Sequence, residues 1–204
     1  MALKTFVKIS EVNNLSDARY CAGMMVDAIG FPVDPAMANY LKPEEYTEIT
    51  EWISGIAKVV EFESNDLQLI QQMTVEHQVD YIQVMHIDLL EALQSTGKKL
   101  IYKVDLAQKS MDEVEDEISD IESYIEFVLI EDSRAVSMKE DLEAVYELSK
   151  EYDIVLGFEV NQQSLPKLLN SEIKGIAIKG GEEIRPGFKN YDEFEEILEA
   201  LDEE

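Results

Sequence analysis

Eight short apolar runs recur along the chain at fairly even spacing, and they constrain its fold more than any other feature. They are Thr5–Ile9, Asp27–Phe31, Ala57–Phe62, Tyr81–Met85, Leu100–Val104, Phe127–Ile130, Ile154–Phe158 and Gly175–Ile178. Most are rich in Val and Ile, as suits strands buried on both faces of a parallel sheet. Between and after them lie segments of helical periodicity: Leu15–Met24, Pro43–Ile53, Asn65–Glu76, Ile87–Ser95, Met111–Ser123, Lys139–Tyr152, Gln162–Leu169 and Tyr191–Leu201. Asn14 is a suitable cap for the first, and Pro43 suits the first turn of the second. Strict strand–helix alternation leaves a closed barrel or an open doubly wound sheet, and eight units favour closure. No Pro/Gly/Ser-rich linker divides the chain, so residues 1–204 are expected to form one α/β domain. A complete eight-fold barrel needs roughly 200 residues.

Hydrophobic residues make up 46 % of the chain, which supports a sizeable core. Acids outnumber bases 44 to 17, for a formal net charge of −27. Such a chain repels phosphate backbones and anionic lipid surfaces, so neither nucleic acid nor a membrane is an expected partner. No stretch approaches the roughly 20 apolar residues of a membrane span. The single cysteine, Cys21, permits no internal disulfide and reads as a small buried hydrophobe. Together with an N-terminus that lacks a signal-peptide pattern, this leads us to expect a cytoplasmic protein.

Two segments carry a family resemblance. VKISEVNNLSDARYCAGMMVDAIGF (Val7–Phe31) resembles the opening of phosphoribosylanthranilate isomerase, whose pattern runs V-K-I-C-G-x-T-x-x-x-D-A and then A-D-A-I-G-F. IAIKGGEEIRPGFKNYDEFEEILEAL (Ile176–Leu201) resembles that family's final strand, its S-S-G-V-E loop, its P-G-x-K-D turn and its last helix. Between them, VDYIQVMH (Val79–His86) is similar to the fourth-strand pattern A-V-Q-L-H-G. The resemblance implies a (β/α)8 TIM barrel. It also implies an Amadori rearrangement of an aminoaldose phosphate in tryptophan biosynthesis, with a cysteine after strand one as base and an aspartate after strand six as acid.

The matching positions have changed. Ser10 stands at the cysteine position, and a serine hydroxyl is a weak base without an adjacent activating group. Glu11 replaces the next glycine. Glu131 falls at the aspartate position, keeping a carboxylate on a longer arm. Asn39, within PAMANYLKPEE, replaces the arginine that holds the anthranilate in the family. His86 matches the family histidine that ends strand four. Lys179, Gly180 and Gly181 replace the S-S-G turn, and are what is left of a glycine-rich phosphate cradle.

Active sites of this fold lie at the C-terminal ends of the strands. There the sequence places Glu11, Glu63, Asp88, Asp105, Glu131, Asp132 and Glu159 against one evident cation, Lys179, so an acidic mouth is expected. Lys8, inside the first strand, reads as a structural lysine paired with a carboxylate. The resulting expectation is a divergent, isomerase-like barrel lacking the original activity and acting in ligand binding or regulation. Two alternatives stay open: an active aldose–ketose isomerase, or an acidic mouth for a cation or metal-bound ligand. The expected partner is a small phosphorylated ligand, on a monomer or homodimer. No cofactor is expected, and no metal pattern is present, because His77 and His86 are not spaced as ligands.

Overall fold

A computed structural model describes residues 3–179, 183–185, 188–189 and 192–202. The eight apolar runs form eight parallel strands: β1 (Phe6–Ser10), β2 (Ala28–Pro32), β3 (Ala57–Glu61), β4 (Tyr81–Val84), β5 (Lys99–Asp105), β6 (Phe127–Glu131), β7 (Ile154–Leu156) and β8 (Gly175–Lys179). They pair in chain order, and β8 pairs back onto β1, closing the barrel. The closing register sets Ile9 beside Ile178 and Ser10 beside Lys179. The chain is therefore a (β/α)8 TIM barrel, as expected.

The helices are α1 (Leu15–Gly23), α2 (Pro43–Thr50), α3 (Leu67–Glu76), α4 (Leu90–Leu93), α5 (Met111–Ile121), α6 (Lys139–Leu148), α7 (Leu165–Leu169) and α8 (Asp192–Leu201). Asn14 caps α1 by accepting from the Asp17 N–H at 2.9 Å, and Pro43 opens α2. Four helices fall three or more residues short of the periodicity: α2, α4, α7 and α6, which stops at Leu148 rather than Tyr152. In α2, the Thr50 hydroxyl donates back to the Tyr46 and Thr47 carbonyls, and the helix stops there rather than at Ile53. The fourth segment is one short α turn flanked by 3₁₀ turns at Ile87–Leu89 and Gln94–Thr96, ending on Gly97 at φ +67°. The Asn161 side chain accepts from the Gln163 and Ser164 N–H groups, forming a local turn that delays α7 to Leu165. Between β8 and α8 lies an antiparallel ribbon, β9 (Glu183–Arg185) and β10 (Phe188–Lys189), where the sequence suggested only a loop.

Two apolar clusters follow from strand alternation, because successive side chains point to opposite faces. The outer one packs the strands against the helices and includes Ile9, Cys21, Phe31, Tyr46, Tyr102, Val145 and Leu198. The inner one fills the barrel with Ala28, Val59, Ile101, Phe127, Leu129, Val155 and Ala177. Phe127 is its base, meeting Phe6 edge-on at 5.4 Å and Tyr81 at 6.2 Å. Continuing the inward alternation toward the C-terminal ends brings Lys8 and Ser10 on β1, Gly30 on β2, Glu61 on β3, Lys103 on β5, Glu131 on β6 and Lys179 on β8. The upper barrel is thus polar where the lower barrel is apolar.

Leu129 is fully buried in the inner cluster, whereas Val136 is 81 % exposed. Leu129→Ala should cost about 2–5 kcal/mol, and Val136→Ala no more than about 0.5 kcal/mol. Urea denaturation of the two variants checks this. Equal costs would contradict the assignment of Leu129 to the barrel interior.

Candidate functional site

The mouth is organised from one buried ion pair. Lys8 Nζ donates to Glu61 Oε1 at 2.5 Å and to Ser10 Oγ at 2.7 Å, with both charged side chains almost wholly buried. Space for the pair comes from Gly30. A methyl group there would overlap Glu61 Oε1 and stand 2.8 Å from Lys8 Nζ. The second Glu61 oxygen accepts from the Glu11 backbone N–H at 2.9 Å. Glu11 adopts φ +61°, an uncommon conformation for a residue with a side chain. Its carboxylate turns to Asn39, which donates through Nδ2 at 3.0 Å, and to Lys179 at 3.2 Å.

Lys179 also reaches Glu131 Oε2 at 3.0 Å, and Lys103 approaches the same oxygen at 3.3 Å. Lys103 lies 4.0 Å from Glu63, two residues beyond Glu61. The contacts therefore run round the mouth from β3 through β1, β8, β6 and β5 and back to the end of β3. Four glutamates meet three lysines, for a formal charge of −1. Glu131, the last residue of β6, is 6 % exposed and sits against Gly157, where a methyl group would meet its Cγ at 2.8 Å.

This corrects the expected charge of the mouth. Of the seven carboxylates, three serve the loops. Asp105 Oδ1 accepts from the Ala107 and Ser133 N–H groups at 2.9 Å each. Asp132 binds Arg134 at 2.7 Å, and Asp88 accepts from Asn65 at 3.0 Å. Glu159 is exposed at φ +52°. Lys8 and Lys103, meanwhile, add two cations. Lys8 pairs with a carboxylate as read from the sequence. Lys103 was missed, although it occupies the same inward register as other polar residues of the strand ends. Among the described residues, no three His, Cys, Asp or Glu side chains are grouped as a metal ion would require.

Ser10 has a neighbouring ionisable group, Lys8, but that group is a donor. A lysine ammonium that donates to a hydroxyl cannot take its proton. Asn39 and Lys179 are brought to the mouth, both on Glu11. His86 lies to one side, its Nε2 donating to the Glu63 carbonyl at 3.0 Å. Gly180 and Gly181 lie outside the described residues. Asp34, which the sequence reading missed, is 1 % exposed and accepts from the backbone N–H groups of Ala36, Glu63 and Ser64. It thereby positions the loop that carries Glu63.

Burial alone would raise the Glu11 carboxyl, but the charge and hydrogen bond of Lys179, with Lys103 and Asn39, hold it below its ordinary value. Burial would likewise raise Asp34, and its backbone donors hold it below the ordinary range. Burial opposes the charge on Lys179, and Glu131 and Glu11 outweigh that, raising its ammonium above the ordinary lysine value.

A carboxyl depressed in the folded state stabilises the protein above its unfolded value, and that contribution is lost as pH falls through the depressed value. The raised Lys179 contributes below its unfolded value and loses that contribution only as pH rises through the folded one. Glu11→Gln should therefore flatten the loss of stability below about pH 4.5, the ordinary glutamate value, leaving the alkaline limb to Lys179. Melting curves between pH 3 and 7 check this, and an unchanged acid slope would oppose it. Gly30→Ala should cost about 3 kcal/mol or more, combining overpacking with disruption of a buried ion pair. A variant as stable as the parent in urea would show that the pair tolerates displacement.

No protein-family model matches the chain, and no curated protein matches its sequence. Solved structures do share its fold. Phosphoribosyl anthranilate isomerase from Thermotoga maritima superposes with a TM-score of 0.78 at 18 % identity, covering 97 % of this chain and 100 % of that one. TrpF from Jonesia denitrificans gives 0.77 at 16 %, covering 97 % and 96 %. A 3-hexulose-6-phosphate synthase gives 0.71 at 12 %, covering 97 % and 100 %. The barrel of this chain is thus similar to that of phosphoribosylanthranilate isomerases over nearly its whole length.

Proposed function

We propose that this chain is a divergent phosphoribosylanthranilate isomerase-like barrel that no longer catalyses the original isomerisation and acts in ligand binding or regulation. One observation carries the reading. Both positions matching the family's catalytic pair are bound into the ionic ring of the mouth. Ser10 Oγ accepts from Lys8, and Glu131 Oε2 is approached by both Lys103 and Lys179. The family reaction needs a base with a lone pair aimed at substrate and an acid that already carries a proton when it meets substrate. Here Ser10 accepts from an ammonium group, and Glu131 is engaged as a carboxylate by two of them. Asn39, at the position of the family's arginine, hydrogen-bonds Glu11 and offers no cation to a carboxylate.

The reading keeps a small phosphorylated ligand as partner, held at Lys179, Gly180 and Gly181. Lys179 already meets two carboxylates, so a phosphate must compete with Glu11 and Glu131. Binding of ribose 5-phosphate should be millimolar, worth about 4 kcal/mol. We take the protein to act in the cytoplasm as a monomer or homodimer. Among the described residues, no helix is long and apolar enough to cross a membrane.

Turnover of phosphoribosylanthranilate should lie at least about 10³-fold below that of an active isomerase, since general-base catalysis alone commonly supplies 10²–10⁴. Ser10→Cys should not restore it, because Asn39 and the occupied Glu131 remain. Rescue of a tryptophan auxotroph by the unaltered chain at ordinary expression would overturn the reading and favour an active isomerase.

A further inference from the structure

Beside the ring, between the ends of β4 and β5, lies a cavity of about 370 Å³ lined in part by Glu63, His86, Asp88, Lys103 and Gln108. Its size is in the range of small-molecule sites, roughly 300–1,000 Å³. Lys103 is only 6 % exposed. Its surroundings differ from those of the other lysines at this side of the mouth. Lys8 makes two short hydrogen bonds, and Lys109 is held by Tyr102 and Glu117 at 2.6–2.7 Å. Lys103 Nζ has only the longer contacts to Glu131 and Glu63, and no hydrogen bond among the described residues. A deeply placed primary amine without a short hydrogen bond, next to a cavity and 3.3 Å from a carboxylate that can receive a proton from it, suits nucleophilic capture of a carbonyl group.

We propose that Lys103 captures a small, uncharged aldehyde or ketone in this cavity as an iminium. Nζ passes a proton to Glu131 Oε2, and its lone pair forms the bond to the carbonyl carbon while the carbonyl oxygen takes a proton. Nitrogen then sheds a second proton. Protonation of the hydroxyl breaks the C–O bond, releasing water and leaving C=N⁺–H. One ammonium and one carbonyl compound give one iminium and one water, with no change of oxidation state. Glu63, Asp88 and Asp105 outnumber Lys103 and Lys109 on the cavity walls, and iminium formation engages Lys103 itself, so the site disfavours an anion and the ligand carries no phosphate. The assignment goes beyond the reading above, and a failure to turn over phosphoribosylanthranilate leaves it standing.

The test incubates the full chain with glyceraldehyde and cyanoborohydride at neutral pH, then follows the adduct on each lysine by peptide mapping. Hydride delivery to the iminium carbon makes the adduct permanent. Lys103 should label at least about 10-fold faster than exposed lysines such as Lys150 and Lys167, against a proton-transfer contribution of commonly 10²–10⁴. Glu131→Gln should slow Lys103 by a similar factor and leave the exposed lysines unchanged. Glyceraldehyde 3-phosphate should label Lys103 more slowly than glyceraldehyde does. Labelling of Lys103 no faster than the surface lysines in the unaltered protein, a comparison that needs no variant, would overturn the proposal. An unaffected rate in a folded Glu131→Gln variant would remove Glu131 from it, and faster labelling by the phosphorylated probe would overturn the uncharged ligand.

Discussion

The mouth of this barrel depends on the contact between Lys8 and Glu61. Moving two charges out of water costs several kcal/mol per ion, and the cost is offset only if geometry is good and the remaining donors and acceptors are filled. Here they are filled in sequence. Lys8 spends a second donor on Ser10, and Glu61 spends its second oxygen on the Glu11 N–H. That bond helps hold Glu11 at positive φ, which in turn delivers its carboxylate to Asn39 and Lys179. Gly30 is the steric condition for the whole arrangement, because no larger residue leaves room for the pair.

An ionic ring of this kind limits what the mouth can bind. Two unit charges 4 Å apart interact by about 4 kcal/mol at an effective dielectric constant of 20. A phosphate approaching Lys179 must compete with contacts of 3.0 and 3.2 Å to Glu131 and Glu11, and water at the half-exposed lysine screens both sides of the exchange. The competition leaves weak binding at most. A site built for a phosphate ester needs cations that are unpaired before the ligand arrives. This mouth supplies compensated ones, so an anion must displace existing ion pairs to bind.

The sequence made the scaffold legible because a parallel barrel writes itself twice, in β-rich apolar runs and in the helical periodicity between them. Boundaries failed where side chains bond their own backbone, as Thr50 does at the end of α2 and Asn161 before α7. The mouth was less legible. Counting acids near strand ends overlooked that Asp105 and Asp132 face loop donors rather than the axis. It also overlooked Lys103, since a lysine within a strand reads as an interruption of an apolar run until the alternation is followed inward from Lys8. Asp34 offered locally only a turn onto the Ala36 N–H, because the partners that place it at the mouth, Glu63 and Ser64, lie 29 and 30 residues further on.

The contrast between surface and mouth adds a final constraint. The chain carries a formal charge of −27, whereas the ring at the strand ends comes close to balance. At physiological ionic strength the field of exposed charges is screened over about 8 Å, so the acidic exterior acts on a ligand mainly during its last approach. It discourages anions there without attracting anything to a particular point. Discrimination among ligands then falls to contacts inside the mouth, where low exposure strengthens each hydrogen bond and each unfilled donor matters. Lys103 is where the interior retains such capacity. An acidic surface that disfavours polyanions thus leaves short-range chemistry at the strand ends to discriminate among ligands.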